Sequence, residues 1–231
     1  MTNQKTDRNS CEGCLAFRKS FMCSFHERQI KELKDNSIKL SFRKGQNIII
    51  RNADSQGLFC IKSGIVKYYL NAKASNVTVG LRTPGDMFGH HELLGTETIF
   101  SVGCLTDVEV CFFPQKNVMS RFARTASFSR RIVAELNNDM AETGNYLLTL
   151  SSKSIKQRTA QAILYLKEKT GISNDGTIGI KLNKQELADM VGASRESVFR
   201  ELSFLKKKKW IATMDQDIRI LDEELLSKTS E

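Results

Sequence analysis

No run of apolar residues in this chain approaches the roughly 20 needed to cross a bilayer as a helix. The opening MTNQKTDRNSCEGC also has no hydrophobic core of the kind a secretory signal carries. Both absences lead to the expectation of a cytoplasmic protein. Acidic residues are in deficit: 26 Asp and Glu face 35 Lys and Arg, giving a net charge of +9 and a pI near 9.3. That imbalance favours a polyanionic partner. Histidine is scarce as well, and His90-His91-Glu92 has no spaced partner motif, so the sequence favours a polar loop there over a metal site.

What is present is six cysteines in 231 residues, a length that suits two ordinary domains. In a reducing compartment structural disulfides are not expected, so cysteines with ligand-like spacing point to metal. Cys11, Cys14 and Cys23 are spaced C-x2-C-x8-C and are followed by Ser24 and Glu27, which read as a capping box for a helix to about Asp35. The local spacing permits zinc on Cys11, Cys14, Cys23 and His26, or three thiolates that await a fourth for an iron-sulfur cluster. Cys60 and Cys104 lie inside predicted strands and read as core residues.

Between about residues 38 and 113 the pattern is one of short period-two strands: 39–42, 47–51, 58–62, 65–70, 77–82, 100–105 and 108–113. Lys44-Gly45, Ser63-Gly64 and Pro84-Gly85-Asp86 punctuate them as turns. Such spacing predicts a sandwich or jelly roll. In the last strand Val108, Val110 and Phe112 share the core face, which places Cys111 on the opposite face, where it could meet the N-terminal leader.

After Pro114 the strand pattern stops, and a helix is predicted over 127–150. Its stripe of Ile132, Leu136, Met140, Thr143, Leu147 and Leu150 is heptad-like and narrow. With Thr143 in it and Gly144 beside it, the seam suits marginal self-association better than a private core. From residue 151 to 210 there are thirteen Lys or Arg against six Asp or Glu, so most of the net charge lies in that stretch, whereas the tail from Ile211 is acidic. A helix over 155–169, a strand over 177–182, two short helices and a hairpin across Asp215-Gln216-Asp217 describe a winged helix-turn-helix.

The two short helices hold the chemistry. Asn183 with Glu186 caps the first, Gly192 ends it, and Ser194 caps the second, whose Val198, Leu202 and Leu205 share a buried face. At about 100° per residue, Glu196, Phe199, Arg200 and Ser203 lie together on the other side, with Arg195 on the shoulder. Arginine can bond both acceptors of guanine and glutamate can accept from cytosine, so this face suits the major groove.

This order of parts resembles the CRP/FNR family of bacterial transcription regulators over nearly the whole chain. The residues that carry the resemblance are Lys44-Gly45, Ser63-Gly64, Pro84-Gly85-Asp86 with Phe88-Gly89, and 187–200, in which Arg195-Glu196-Ser197-Val198-Phe199-Arg200 looks like the family's R-E-x-x-x-R reading motif. The resemblance implies an α+β chain: a leader (1–24), a β-roll sensor domain of the cyclic-nucleotide-binding-like, double-stranded β-helix type (25–126), a dimerisation helix (127–151) and a winged helix-turn-helix (152–231). It also implies a non-enzymatic homodimer on palindromic double-stranded DNA, with RNA polymerase as a further partner, and DNA contacts from Ser194, Arg195, Glu196, Phe199 and Arg200.

Cyclic-AMP binders of the family carry an arginine in their phosphate-binding segment. This chain has none between Arg82 and Arg121, so no cyclic nucleotide is expected. The oxygen-sensing FNR branch holds a [4Fe-4S] cluster on three leader cysteines and a fourth just before x-x-P. Cys11, Cys14, Cys23 and Cys111 match that set, with a second gap of eight residues where the branch usually has five. The serine that the branch carries in its reading helix is here Phe199. Sensing by thiols, zinc or haem are alternatives within the family. Outside it stand an iron-sulfur electron carrier with a basic docking face, or an enzyme of the cupin type, for which His90, His91 and Glu92 supply too few ligands.

Overall fold

The structure is a computed structural model that describes residues 15–20, 22, 31, 33–52, 57–71, 76–91, 93 and 100–230. Cys11, Cys14 and Cys23, with Ser24, His26, Glu27 and Glu92, lie outside the described residues. The chain forms two compact units, Met1–Asn71 with Gly80–Glu142 and Ala72–Val79 with Thr143–Glu231. Among the described residues no helix is long and apolar enough to cross a membrane.

The first unit begins with a short helix, α1 (Leu15–Lys19), and is built mainly of antiparallel strands: β1 (Ile38–Phe42), β2 (Asn47–Ile49), β3 (Gly57–Ser63), β4 (Val66–Asn71), β5 (Asn76–Arg82), β6 (Met87–Phe88), β7 (Ser101–Cys104) and β8 (Val108–Pro114). They form two four-stranded sheets, ordered β1-β8-β3-β6 and β2-β7-β4-β5, as expected of a roll. β8 lies centrally, pairing Ile38 with Phe112 on one side and Cys60 with Cys111 on the other.

Cys111 departs from expectation. Alternation does place it opposite Val108 and Val110, but that face is a second core and not an open surface. Cys111 is buried in one apolar cluster with Cys60, Leu58 and Phe113 from the sheet, Met22 and Leu33 from the leader side, and Val118, Phe128 and Ile132 from helices. A strand covered on both faces is apolar on both, so Val-x-Val alternation alone misjudged which side was dry. Cys60 and Cys104 are buried, as expected. Burial, with Asp107 adding to it, pushes the Cys104 thiol up to about 11, so it stays protonated and unreactive near neutrality.

The chain leaves β8 through a helix that the strand-to-helix reading missed, α2 (Gln115–Arg124), whose Val118 is buried and whose Met119 and Phe122 pack on the cluster. Thr125, in extended conformation, ends it, and the long helix α3 (Ala126–Ser152) follows.

In the second unit α4 (Ile155–Thr170) opens on a capping box of Ser154 and Gln157 and closes at Gly171. Next come α5 (Lys184–Val191), α6 (Arg195–Lys207), the hairpin β9 (Ile211–Met214) and β10 (Asp217–Ile220), and a further unexpected helix, α7 (Glu223–Ser230). The hairpin turns on Asp215-Gln216, with Asp215 at φ 52°. The strand expected over 177–182 is not a ladder. Ile178, Ile180 and Leu182 are buried in alternation, yet the segment makes only the isolated bridges Ile172 to Ile178 and Thr177 to Arg219, because its backbone bonds go to different neighbours.

Candidate nucleic-acid interface and buried ionic cluster

The helix pair forms as its end residues dictate. The Asn183 side chain accepts from the amides of Gln185 and Glu186 while Glu186 accepts from the Asn183 amide, satisfying donors that a helix start leaves open. Gly192 ends α5 at φ 64°, a left-handed conformation that favours glycine, and a Cβ there would press on the Leu150 side chain at 2.7 Å. Ser194 caps α6 by accepting from the Ser197 amide. Its hydroxyl therefore serves the helix start first.

Val198 and Leu205 are fully buried on one side of α6. Arg195, Glu196, Phe199, Arg200 and Ser203 are all exposed on the other, as the helical projection predicts. Phe199 is 50% exposed, and Lys184 of α5 places its ammonium 4.3 Å from the ring centroid. The aromatic ring is thus held between a cation and solvent on the face that carries the arginines. Lys206 to Lys209 continue the exposed positive charge at the end of α6.

Along α3 the heptad seam is divided. Ile132 is buried in the chain's own core and Leu136 packs against it, whereas Met140 and Leu147 are 70% and 60% exposed. Val133, 57% exposed, takes the place expected of Ile132. The exposed positions then read Val133, Met140 and Leu147, seven residues apart as along one edge of a coiled-coil seam, with Leu136, Thr143 and Leu150 half-buried between and beyond them. Leu150 is partly engaged, since its side chain lies against Gly192. Tyr146 borders the same glycine, and burial pushes its phenol up to about 12.

His90 and His91 do not form a solvated polar loop. His90 is 2% exposed, and both rings donate from Nε2 to Asp139 Oδ2 of α3, at 2.8 Å each. The other carboxylate oxygen, Oδ1, accepts from Arg82, whose second terminal nitrogen pairs with Glu142 at 2.8 Å. The guanidinium also lies over Tyr68, 4.9 Å from its centroid. Burial alone would raise the Asp139 pKa, but hydrogen bonds from both histidines and the charge of Arg82 hold the carboxyl far below the usual range. Nδ1 of His90 is buried and meets no partner among the described residues, so the ring's proton sits on Nε2. Sequence reasoning missed this cluster because Asp139 is 48 residues from His91 and looks like one more polar position on a long helix.

The descriptions of known families match this geometry part by part. Residues 39–125 match the cyclic nucleotide-binding domain family and residues 157–229 the Crp-like helix-turn-helix domain family. The chain belongs to the CRP/FNR family of DNA-binding transcription regulators. Among relatives, it is 26% identical to the CRP-like cAMP-activated global transcriptional regulator of Mycobacterium tuberculosis, over 82% of this chain and 86% of that one. It is 23% identical to the nitrogen fixation regulation protein FixK of Bradyrhizobium diazoefficiens, over 92% and 90%. The solved structure of FixK2 from Bradyrhizobium japonicum shares the fold, with a TM-score of 0.74 at 18% identity over 84% of this chain and 98% of that one. Family membership accounts for the order of roll, long helix and helix-turn-helix.

Proposed function

We propose that this regulator reads a palindromic DNA site as a homodimer, with Arg195, Glu196 and Arg200 contacting base edges, Phe199 offering an apolar contact and Ser194 holding the helix start at the backbone. The exposed α6 face carries this reading: three charged side chains and one cation-capped ring point away from a fully buried stripe. The exposed apolar Val133, Met140 and Leu147 on α3 support dimerisation, which would set two α6 helices about 34 Å apart, one DNA turn. In binding assays, Arg200→Ala should lose discrimination between its site and random DNA by about 1–3 kcal/mol, while Lys206→Ala weakens both about equally. Equal loss on both DNAs for Arg200→Ala would refute base reading.

For the signal, the reading is a [4Fe-4S] cluster on Cys11, Cys14, Cys23 and Cys111. Support comes from Cys111, whose face of the sheet is the one on which Met22 packs, and Met22 immediately precedes Cys23 in the chain. Such a cluster, when bound, supplies oxygen- and redox-sensitive chemistry. This chain's own part is to tie the leader to β8, which runs through α2 into the long helix. Arg82, the arginine nearest in sequence to the roll's ligand region, is already neutralised by Asp139 and Glu142, which favours this reading over a cyclic nucleotide. Protein purified without air should contain iron and show broad visible absorption that air bleaches; a full cluster retained by Cys111→Ser would sink the assignment.

A further inference from the structure

We infer that His90, His91 and Asp139 form a binding site for one divalent transition-metal cation of borderline softness, zinc or ferrous iron, separate from the leader cysteines. Two imidazole nitrogens aim at a single carboxylate oxygen, and the three donor atoms lie within 4.8 Å of one another. Two neutral imidazoles and a carboxylate are the donor set such cations prefer, and they leave positions open for a further ligand.

The surroundings are those of a prepared site. Gly89, at φ 91°, turns the chain after β6 where a Cβ would come within 2.4 Å of the Gly57 carbonyl, and this turn delivers two consecutive histidines to the same point. Their rings stack, with centroids 4.8 Å apart, and His91 meets the Phe100 ring edge-on. Arg82 holds the far oxygen of Asp139, and Glu142 and Tyr68 hold Arg82, so the near oxygen is aimed at the histidines by a second layer of bonds. Among the described residues Asp139 and Glu142 set two carboxylates against the Arg82 guanidinium, an arrangement that favours a cation.

On binding, the cation takes the place of the two shared hydrogen bonds and each imidazole carries its proton on Nδ1, which in His90 meets no partner among the described residues and sets a cost that the metal bonds must exceed. The histidines come from the roll and the carboxylate from the long helix, one residue before the exposed Met140 of the seam. A bound cation therefore fastens the roll's turn to the helix beside the exposed Met140 of its self-association surface, and the dimer should tighten.

Cobalt(II) is the probe, added to the full chain with Cys11, Cys14 and Cys23 replaced by serine so that leader thiolates contribute nothing. One cobalt per chain should bind, with visible ligand-field bands and no sulfur-to-metal charge transfer, and zinc should displace it. In that background Asp139→Asn and His91→Gln should each weaken binding at least tenfold while circular dichroism stays unchanged. The site is overturned if the serine-substituted chain binds no cobalt, or if both variants bind as tightly as it does. Sedimentation with and without zinc tests the link to the seam, and an unchanged dimer constant removes it. Failure of the iron-sulfur reading would appear instead as absent acid-labile sulfide and no air-bleached visible absorption in the unsubstituted protein, and leaves the cobalt result standing.

Discussion

Arg200 lies 3.7 Å from Glu201 with 74% of its side chain in solvent, whereas Arg82, with 11% exposed, is clamped between Asp139 and Glu142. One arginine is left for a partner and the other is used up inside the fold. Among exposed charges the Coulomb gain is small and a side chain remains free to exchange water for DNA phosphate or base. In the buried set desolvation is large, and each charge is tolerable only because the others neutralise it. Sequence position alone does not tell these settings apart; the company each side chain keeps does.

The largest effect is expected for Arg82→Ala. It strands two carboxylates, one of them buried, and should cost about 3–5 kcal/mol in urea unfolding, against less than about 0.5 kcal/mol for Arg200→Ala, as for most surface substitutions. The acid response of Asp139 adds a direction. Its folded pKa is depressed, so its contribution is fully present above the unfolded value of about 3.9 and is lost only as pH falls toward the much lower folded value. Wild type and Asp139→Asn should therefore differ in stability near neutrality and converge only in strong acid, by denaturant unfolding at each pH.

A smaller effect is expected at the open seam. Leu147→Glu should raise the dimer dissociation constant at least tenfold, about 1.4 kcal/mol, in sedimentation, and leave the first unit's thermal unfolding in place. Ile132→Ala should do the reverse, lowering stability through a core cavity. The smallest is Asn183→Ala, about 1 kcal/mol of stability from a lost cap, read by denaturant unfolding, with base discrimination retained.

Local signals were legible. Asn183, Gly192 and Ser194 announce their roles because capping depends on neighbours within four residues, and the strands of the roll follow from alternation and turn residues. The side chains exposed on α6 follow from helical geometry once Val198 and Leu205 define the buried stripe. Non-local chemistry was not legible. Nothing near His90 in sequence indicates Asp139, and nothing in β8 says that a helical layer closes over Cys111. The choice of Ile132 over Val133 shows a finer limit: both are β-branched and adjacent, and only the packing of Phe128 and Ile132 under the sheet decides which of them faces in. α2 was missed although Val118, Met119 and Phe122 have helical spacing, because ten residues after a proline were read as connection.

The division of α3 has a consequence for how subunits live in solution. The helix satisfies its first turns within its own chain, through Phe128 and Ile132, before any second chain is involved. A lone subunit thus keeps the core of its roll intact, and in the proposed dimer two subunits could part and re-pair without unfolding. For the proposed dimer, exchange between old and newly made protomers should be fast compared with unfolding, so that the paired fraction would follow the abundance of the protein itself.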